Sequence, residues 1–262
     1  MKADKKKLAL ITGAAGGLGY AIANYLGLQD YRIAIIDVDE QGVMNAAGCL
    51  GDARGYGCDI TDEAQVDQTL ARIEKDFGAV PDAVINNAGI VRFGELLEHS
   101  VEDFRKVIDV NLVGTFIMCC AVGRLMAQRG SGAIVNVTSL NAFAPSPDAG
   151  AYPASKAAVA KLTEQFALTL GPMGVRVNAV APGFIDAGMS SPIYQDPETR
   201  ALRAASVPAG RIGKAEDIAG TVAFLISEQA DYIHGQHILV DGGVASSLKK
   251  HLPRKAPTDS EK

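Results

Sequence analysis

The stretch TGAAGGLG at residues 12–19 places four glycines in eight positions, directly after the apolar run LALIT at residues 8–12. Glycine loses more backbone freedom on folding than any other residue, so this turn indicates a close approach of backbone to another group. The next segment, GLGYAIANYLG at residues 17–27, is typical of a helix. A strand, a glycine-rich turn and a helix in this order are the setting in which backbone N–H groups bind the pyrophosphate of a dinucleotide.

The glycine spacing itself leaves two patterns open, because Gly13 and Gly19 combine with either Gly17 or Gly16. The first choice gives G-x-x-x-G-x-G and the second gives G-x-x-G-x-x-G. A lone glycine-rich turn can also be a plain structural connection between a strand and a helix. We predict that Gly13, Gly17, Leu18 and Gly19 bind the cofactor, and the rest of the chain has to support this.

Short apolar runs alternate with helical patterns, which predicts a parallel sheet with helices on both faces. The runs are continuous rather than alternating, as expected for strands buried on both sides. The predicted strands are 8–12, 32–37, 82–86, 133–139, 175–181 and 237–241, with a weaker strand at 56–60. The predicted helices lie at about 17–27, 61–77, 100–128, 151–170 and 215–226. The fold class is therefore α/β: a doubly wound parallel sheet (Rossmann fold) of about seven strands, in a single domain at residues 1–245.

The composition is that of a globular protein, with 48% hydrophobic and 21% charged residues among 262 and a formal net charge of -5. This charge argues against a nucleic-acid partner. No apolar stretch approaches the ~20 residues of a membrane helix, and the first apolar run is too short for a signal peptide. We expect a cytoplasmic protein with no membrane partner. The polar segment 246–262 is predicted to be a loose C-terminal tail.

The cysteines and histidines show no spacing of a metal or redox site. Cys49, Cys58, Cys119 and Cys120 lack the C-x-x-C pattern, and the four histidines lack the H-E-x-x-H pattern. We therefore predict reduced, buried thiols and no bound metal.

The second predicted strand ends at Asp37, eighteen positions beyond Gly19. An acid at this place can accept hydrogen bonds from both adenosine ribose hydroxyls, and it would repel a 2′-phosphate. Ala14, Ala15 and Val38 supply no cation to neutralise such a phosphate. NAD is therefore favoured over NADP, although a solvated loop acid remains an alternative for Asp37.

Four further stretches resemble one known family. They are NNAG at residues 86–89, NVTS ending at Ser139, YPASK with Tyr152 and Lys156, and PGFIDAGM from Pro182. Together with the glycine turn they resemble the single-domain branch of the short-chain dehydrogenase/reductase family, over about residues 6–245. The resemblance implies hydride transfer between NAD and a secondary alcohol or ketone, and a homo-oligomer, in this family a tetramer.

The catalytic group that the resemblance implies is also chemically sensible. Tyr152 and Lys156 are four apart on a predicted helix and share a face, and Ser139 ends the preceding strand. A free tyrosine has a pKa near ~10, and a nearby ammonium group favours the phenolate that a general base requires. Ser139 would stabilise the charge on the substrate oxygen. Asn111 resembles the residue that positions a water in the proton relay.

The remaining cofactor contacts rest on the resemblance. They are Asn87, Ala88 and Gly89 beside the adenosine ribose, Asp59 and Ile60 at the adenine, Tyr152 and Lys156 at the nicotinamide ribose, and Pro182, Gly183 and Ile185 along the nicotinamide. A tight structural turn remains an alternative for NNAG, and a plain strand-end acid remains one for Asp59. The family usually has Thr five residues after Pro182, where this chain has Ala187.

The substrate is a small alcohol or ketone that the sequence leaves undetermined: sugars, cyclic alcohols, hydroxysteroids and hydroxyacyl thioesters all remain open. We expect its pocket to involve residues 140–147, 91–94 and a lid at about 188–206. Arg200 and Arg203 could meet an anionic substrate or simply be solvated. Two other functions stay open, a sugar-nucleotide epimerase or dehydratase, which also uses Tyr-x-x-x-Lys, and an NAD-binding regulator without turnover.

Overall fold

A seven-stranded parallel sheet organises residues 6–247, which are the residues that the computed structural model describes. The strands are β1 Leu8–Thr12, β2 Arg32–Asp37, β3 Ala53–Gly57, β4 Ala83–Asn86, β5 Gly132–Val137, β6 Val175–Pro182 and β7 His237–Val240. Their spatial order is β3-β2-β1-β4-β5-β6-β7, and each neighbouring pair is parallel. The order reverses between β1 and β4, which is where open α/β sheets form a ligand crevice. The doubly wound fold class is confirmed.

Eight α-helices connect the described strands. They are α1 Gly17–Gly27, α2 Glu40–Gly48, α3 Glu63–Phe77, α4 Val101–Ile108, α5 Thr115–Arg129, α6 Tyr152–Leu170, α7 Pro197–Ser206 and α8 Ala215–Ile226. A π-helical turn, Asp109–Gly114, joins α4 to α5. The predicted helices are confirmed with small shifts at their ends, and α2 and α7 were not among them.

Successive residues of each strand face opposite sides of the sheet, so the continuous apolar runs produce two separate cores. On one face, Ala9 and Ile11 of β1 pack with side chains of α1 and α8. On the other face, Leu8 and Leu10 pack with side chains of α3, α5 and α6. Leu8, Leu10 and Ile11 have no exposed surface. Because the strands are buried and parallel, their carboxyl ends lie side by side at one edge of the sheet.

The helical stretch Val101–Arg129 corrects the expectation that no apolar stretch approaches the length of a membrane helix. It is 29 residues long, and the mean hydropathy of its most apolar 18-residue window is 1.7, so its length and composition are enough for a membrane span. Half of its most apolar window is buried inside the fold, where α5 packs against α3 and α6. Core helices of α/β domains have this same composition.

Two further predictions need correction. The weak strand expected at 56–60 occupies Ala53–Gly57 instead, because its pairing with β2 begins at Ala53 opposite Ile33. The thiols are not all buried, since Cys49 is exposed just after α2. The predicted loose tail at 246–262 lies outside the described residues from 248 onward.

Candidate active site

A cleft of about 520 Å³ runs along the carboxyl ends of the strands. The predicted cofactor residues that line it are Gly13, Gly17, Leu18, Asp37, Asp59, Ile60, Asn87, Ala88, Gly89, Pro182, Gly183 and Ile185. Ser139, Tyr152 and Lys156 line the same cleft. Of the predicted site residues, Gly19 and Asn111 do not line it. The motifs, which are scattered over 170 residues of sequence, therefore meet in one space.

The glycine turn between β1 and α1 requires glycine at three of its positions. Gly13 and Gly17 have φ of +65° and +58°, a region that side chains disfavour. A Cβ on Gly13 would lie 2.7 Å from the Ala88 Cα, and one on Gly19 would collide with the Gly13 carbonyl oxygen. A Cβ on Gly16 would meet nothing within 4 Å. The spacing G-x-x-x-G-x-G is therefore the one that the backbone uses.

The first turn of α1 faces this cleft without a side chain to cap it. Its N-cap is Gly16, and the first turn carries no acidic residue. The N–H groups at such a helix end are suited to a phosphate group. Asp37 ends β2 and Ser139 follows β5, so the residues that line the cleft extend across four neighbouring strands. This span and the bare backbone suit a dinucleotide.

The Asp37 carboxylate is fixed across the mouth of the glycine turn. One oxygen accepts a hydrogen bond from the Ala15 N–H at 3.0 Å, and the other accepts one from the Asp39 N–H at 3.2 Å. Within residues 6–247, no Lys or Arg forms an ion pair with Asp37. The negative charge at this end of the cleft is therefore not neutralised.

The NNAG segment after β4 is tied to the glycine turn. The Asn87 amide group donates to the carbonyl oxygens of Thr12 and Gly13 at 3.0 and 2.9 Å. The Thr12 hydroxyl accepts from the backbone N–H groups of Asn87 and Ala88, both at 3.1 Å. These bonds make Asn87 a structural link between the two turns. Gly89 lies beside Lys156, since a Cβ on Gly89 would be 3.1 Å from the Lys156 Nζ atom.

Asp59 lies in the cleft but also serves the start of α3. One of its oxygens accepts from the Thr61 N–H at 2.9 Å and from the Thr61 hydroxyl at 2.7 Å. Ile60, which is 6% exposed, packs against Gly114 in the π-helical turn. A Cβ on Gly114 would lie 2.7 Å from the Cδ1 atom of Ile60. Asp59 thus stabilises the loop that follows β3 through its bonds to Thr61. Its contact with adenine stays a prediction.

The predicted catalytic residues lie just after β5 and in the first turn of α6. Ser139 follows β5, is 9% exposed, and accepts a hydrogen bond from the Asn141 N–H at 3.1 Å. Lys156 is 3% exposed; its Nζ donates to the Val137 carbonyl at 2.9 Å and lies 5.7 Å from the centre of the Tyr152 ring. The shared face of Tyr152 and Lys156 is confirmed.

The acid–base properties of this pair differ from the expectation. Burial raises the pKa of the Tyr152 phenol above its usual value, and a hydrogen bond with Ser139 acts in the opposite direction. Burial also lowers the pKa of Lys156 to about 8. In the protein without cofactor the pKa of Tyr152 therefore lies above its usual value, not below it as expected, because the effect of burial is the larger one. The Lys156 ammonium group is bonded to the Val137 carbonyl in this state.

Asn111 lies in the π-helical turn and is fully buried. Its amide oxygen accepts from the Ile90 N–H at 2.8 Å, and its amide nitrogen donates to the Ile90 carbonyl and the Ser155 hydroxyl at 2.9 and 3.0 Å. Ser155 in turn donates to the Tyr152 carbonyl at 2.7 Å. Asn111 thus joins the cleft wall to the first turn of α6, and its role in a proton relay stays a prediction.

The predicted lid at about 188–206 follows β6 and contacts the glycine turn. A 3₁₀-helical segment, Gly188–Gln195, precedes α7, and a Cβ on Gly17 would lie 2.8 Å from the Gly188 Cα. Arg200 forms an ion pair of 2.6 Å with Asp186. Arg203 lies over the ring of Phe184, 5.3 Å from its centre. Both arginines therefore hold the lid to its own base rather than standing free in solvent.

Sequence reasoning did not single out several residues that line the cleft. These are Ile36, Cys58, Ile90, Lys106, Val110, Val137 and Thr138. Among the residues expected at the substrate pocket, Arg92, Gly188, Met189 and Ser190 line the cleft, whereas 140–147 do not. Lys106 and Val110 are four apart on one helical face that begins at Ser100, so helical spacing could have indicated them.

Comparison with known proteins gives a consistent assignment. The family model described as "Enoyl-(Acyl carrier protein) reductase" matches residues 13–245. The D-threitol dehydrogenase of Mycolicibacterium smegmatis is 36% identical over 241 residues, 90% of this chain and 92% of the relative. The 3-oxoacyl-(acyl-carrier-protein) reductase FabG of Escherichia coli is 35% identical over 239 residues, covering 91% and 97% of the two chains.

Among solved structures, an NAD⁺-bound xylitol dehydrogenase superimposes with a TM-score of 0.86 at 32% identity, covering 92% of this chain and 100% of the other. Levodione reductase superimposes with a TM-score of 0.84 at 31% identity, covering 92% and 98%. Both structures therefore share most of their fold with this chain. The chain belongs to the short-chain dehydrogenase/reductase family.

Proposed function

We propose that this protein is an NAD-dependent oxidoreductase that interconverts a secondary alcohol and its ketone, with Tyr152 as the general acid and base. The observation that carries the proposal is the convergence of Ser139, Tyr152 and Lys156 in the same cleft as the glycine turn and Asp37. One end of the cleft is suited to an adenosine ribose and the other to proton transfer. The cofactor is NAD(H).

In the proposed reaction the nicotinamide ring, when bound, supplies the acceptor or donor of the hydride. The Ser139 hydroxyl donates a hydrogen bond to the substrate oxygen and stabilises its developing charge. Tyr152 removes the hydroxyl proton during oxidation and returns it during reduction. The Lys156 ammonium group, buried beside Tyr152 and Gly89, favours the phenolate and binds the nicotinamide ribose.

The substrate class follows only in outline. The names of the relatives include a polyol dehydrogenase and a reductase of acyl-carrier-protein thioesters, so the family likeness supports alcohol–ketone chemistry without choosing a substrate. Residues 188–206 act as the substrate lid of a catalytic domain at residues 1–245, and the protein works in the cytoplasm. A panel of polyols, cyclic alcohols, hydroxysteroids and 3-hydroxyacyl thioesters, tested with NAD, would identify the substrate.

The same panel, with a sugar nucleotide included, separates the two other functions. An epimerase or dehydratase would convert a sugar nucleotide without net reduction of NAD, whereas a regulator would bind NAD and turn over nothing. The described fold ends its sheet at β7 and has no second domain within residues 6–247, and such epimerases commonly carry an extra substrate domain. Reduction of NAD by a secondary alcohol would support the dehydrogenase.

We predict that the affinity for NAD exceeds that for NADP by about tenfold or more, because a 2′-phosphate would meet the unneutralised Asp37 carboxylate. Asp37→Ala should narrow this difference. Asp39→Ala is the matched control, since Asp39 caps α2 and does not line the cleft. Titration of both cofactors against each variant gives the dissociation constants. Equal affinity of the wild-type protein for NAD and NADP would contradict the prediction.

A second prediction concerns assembly. Large apolar side chains on the outer faces of α4–α6 are exposed, and they include Phe104 (40%), Phe116 (47%) and Leu168 (81%). An apolar surface of this kind is typical of an interface between subunits. We propose a homo-oligomer, in this family a tetramer, that buries these helices. Light scattering at micromolar concentration measures the mass, and Phe116→Glu should lower it. A monomeric wild-type protein would refute the proposal.

A further inference from the structure

His99 lies between the two loops that border the catalytic end of the cleft. The first loop, 90–99, follows β4, and the second, 146–151, leads into α6. A Cβ on Gly150 would lie 2.5 Å from Cε1 and 2.6 Å from Nε2 of His99, and 3.0 Å from the Arg92 carbonyl oxygen. The imidazole therefore fills the space that a side chain at position 150 would need.

The same loops also meet through their backbones at Gly94. The Gly94 N–H donates to the Asp148 carbonyl at 2.9 Å, and Gly94 forms a parallel bridge with Ala149. The φ angles of Gly94 and Gly150 are +155° and +52°, which side chains rarely adopt. Because glycine is the most flexible residue, a junction built on two glycines needs another restraint to hold one geometry.

The imidazole ring can supply that restraint by filling the space between the two loops rather than by hydrogen bonding. It is partly buried, and its Nε2 atom is buried with no hydrogen-bond partner among residues 6–247. The Nδ1 atom lies 3.8 Å from the position of a Cβ on Gly94, so the ring is in reach of both glycines. A smaller side chain would leave the two loops joined mainly by their backbone contact.

We propose that His99 is a positioning residue that sets the distance between these loops and thereby places Tyr152 against the substrate. Tyr152 follows Gly150 by two residues and begins α6, while Ile90 and Arg92 of the other loop line the cleft. A shift of the Gly150 loop would move the phenol relative to the opposite wall. A misplacement of about 1 Å can lower a rate by about 10²-fold. The proposal rests on the proposed function, because it requires a substrate at Tyr152.

The first test compares three variants by steady-state kinetics and by direct binding of NAD. We expect His99→Ala to lower kcat for the alcohol by about tenfold or more, while the Kd for NAD, whose proposed adenosine site is at the far end of the cleft, changes less than about twofold. His99→Phe keeps an aromatic ring and should restore most of the lost kcat. His99→Asn has no ring and should behave like His99→Ala. Equal kcat in all three variants and the wild type would overturn the proposal.

The second test needs no turnover and so stands apart from the proposed function. Hydrogen exchange of the Gly94 amide reports whether the two loops stay joined, since that N–H is bonded to Asp148. We expect exchange to be about tenfold faster or more in His99→Ala and close to wild type in His99→Phe. Unchanged exchange in His99→Ala would overturn the proposed role of His99 in joining the two loops. Faster exchange in a protein that oxidises no alcohol would count against the proposed function alone.

The third test uses Gly150→Ala, with Gly130→Ala as its matched control. Both glycines have positive φ, +52° and +78°, but a Cβ on Gly130 would meet nothing within 4 Å. Gly130→Ala therefore reports backbone strain alone, whereas Gly150→Ala adds a collision with His99. We expect Gly150→Ala to lower kcat further than Gly130→Ala, and to do so by a smaller factor on the His99→Ala background. Equal effects of the two glycine variants on kcat would contradict the contact.

Discussion

Replacing Tyr152 by Phe is expected to lower kcat for alcohol oxidation by about 10²–10⁴-fold, the usual contribution of general acid–base catalysis. The ring remains and only the ionisable oxygen is removed, so the packing of α6 and the affinity for NAD should change little. Steady-state kinetics and a direct titration of NAD measure the two quantities separately.

The matched control is Tyr25→Phe, which removes a hydroxyl from α1 at a residue that does not line the cleft. It should leave kcat within about twofold of wild type. A folded Tyr152→Phe protein that binds NAD and keeps more than about a tenth of the wild-type kcat would exclude Tyr152 as the base.

Replacing Lys156 by Met is expected to lower activity and, at the same time, to raise the stability of the cofactor-free protein. Activity should fall by about 10²-fold or more, because the ammonium group that favours the Tyr152 phenolate is lost. The remaining oxidation rate should rise with pH only at more alkaline values than in the wild type, because burial alone raises the pKa of Tyr152. The Kd for NAD should also increase, since the proposed ribose contact disappears.

The cofactor-free protein should at the same time become more stable. The pKa of Lys156 is lowered from 10.5 to about 8, which corresponds to about 3 kcal/mol of burial cost for the charged form. Loss of the hydrogen bond to the Val137 carbonyl offsets part of this gain, so we expect a net increase of about 1–2 kcal/mol in the free energy of unfolding at neutral pH.

The pH dependence of this stability has a definite sign. Between pH 8 and 10.5 the unfolded chain binds more protons at Lys156 than the folded chain, so wild-type stability gains from rising pH in this window. The advantage of Lys156→Met should therefore be largest below about pH 8 and shrink above it. Lys161→Met, on the exposed side of the same helix, is the control and should change stability by less than about 1 kcal/mol. Destabilisation by Lys156→Met at neutral pH would contradict the account.

Much of the fold follows from the sequence because its strands are buried on both faces. Continuous apolar runs such as LALIT and RIAIID predict strands, and helical patterns between them fix a parallel order. β3 was misplaced because its sequence, ARGYG, contains little apolar side chain and the pairing with β2 decides its position. The apolar length of the helical stretch Val101–Arg129 was underestimated because Asn111 and Gly114 interrupt its apolar residues. Both lie in the π-helical turn, so the helical stretch continues through them.

The residues of the candidate site were predicted better than their electrostatics. Motif spacing brings Ser139, Tyr152 and Lys156 together, because two lie on one helical face and the third ends the neighbouring strand. The direction of the Tyr152 pKa depends on burial by surrounding elements, which no local motif records. The contact of His99 with Gly150 joins positions fifty-one residues apart and likewise has no sequence signal.

The central claim is that hydride passes between the carbinol carbon of a secondary alcohol and NAD in this cleft. The most direct test uses an alcohol from the substrate panel that carries deuterium on its carbinol carbon. After incubation with the wild-type protein and NAD, mass spectrometry of the reduced cofactor should find the deuterium on its nicotinamide ring, and Tyr152→Phe should give almost none. Reduced cofactor without deuterium, or no reduction of NAD by any alcohol of the panel, would contradict the account.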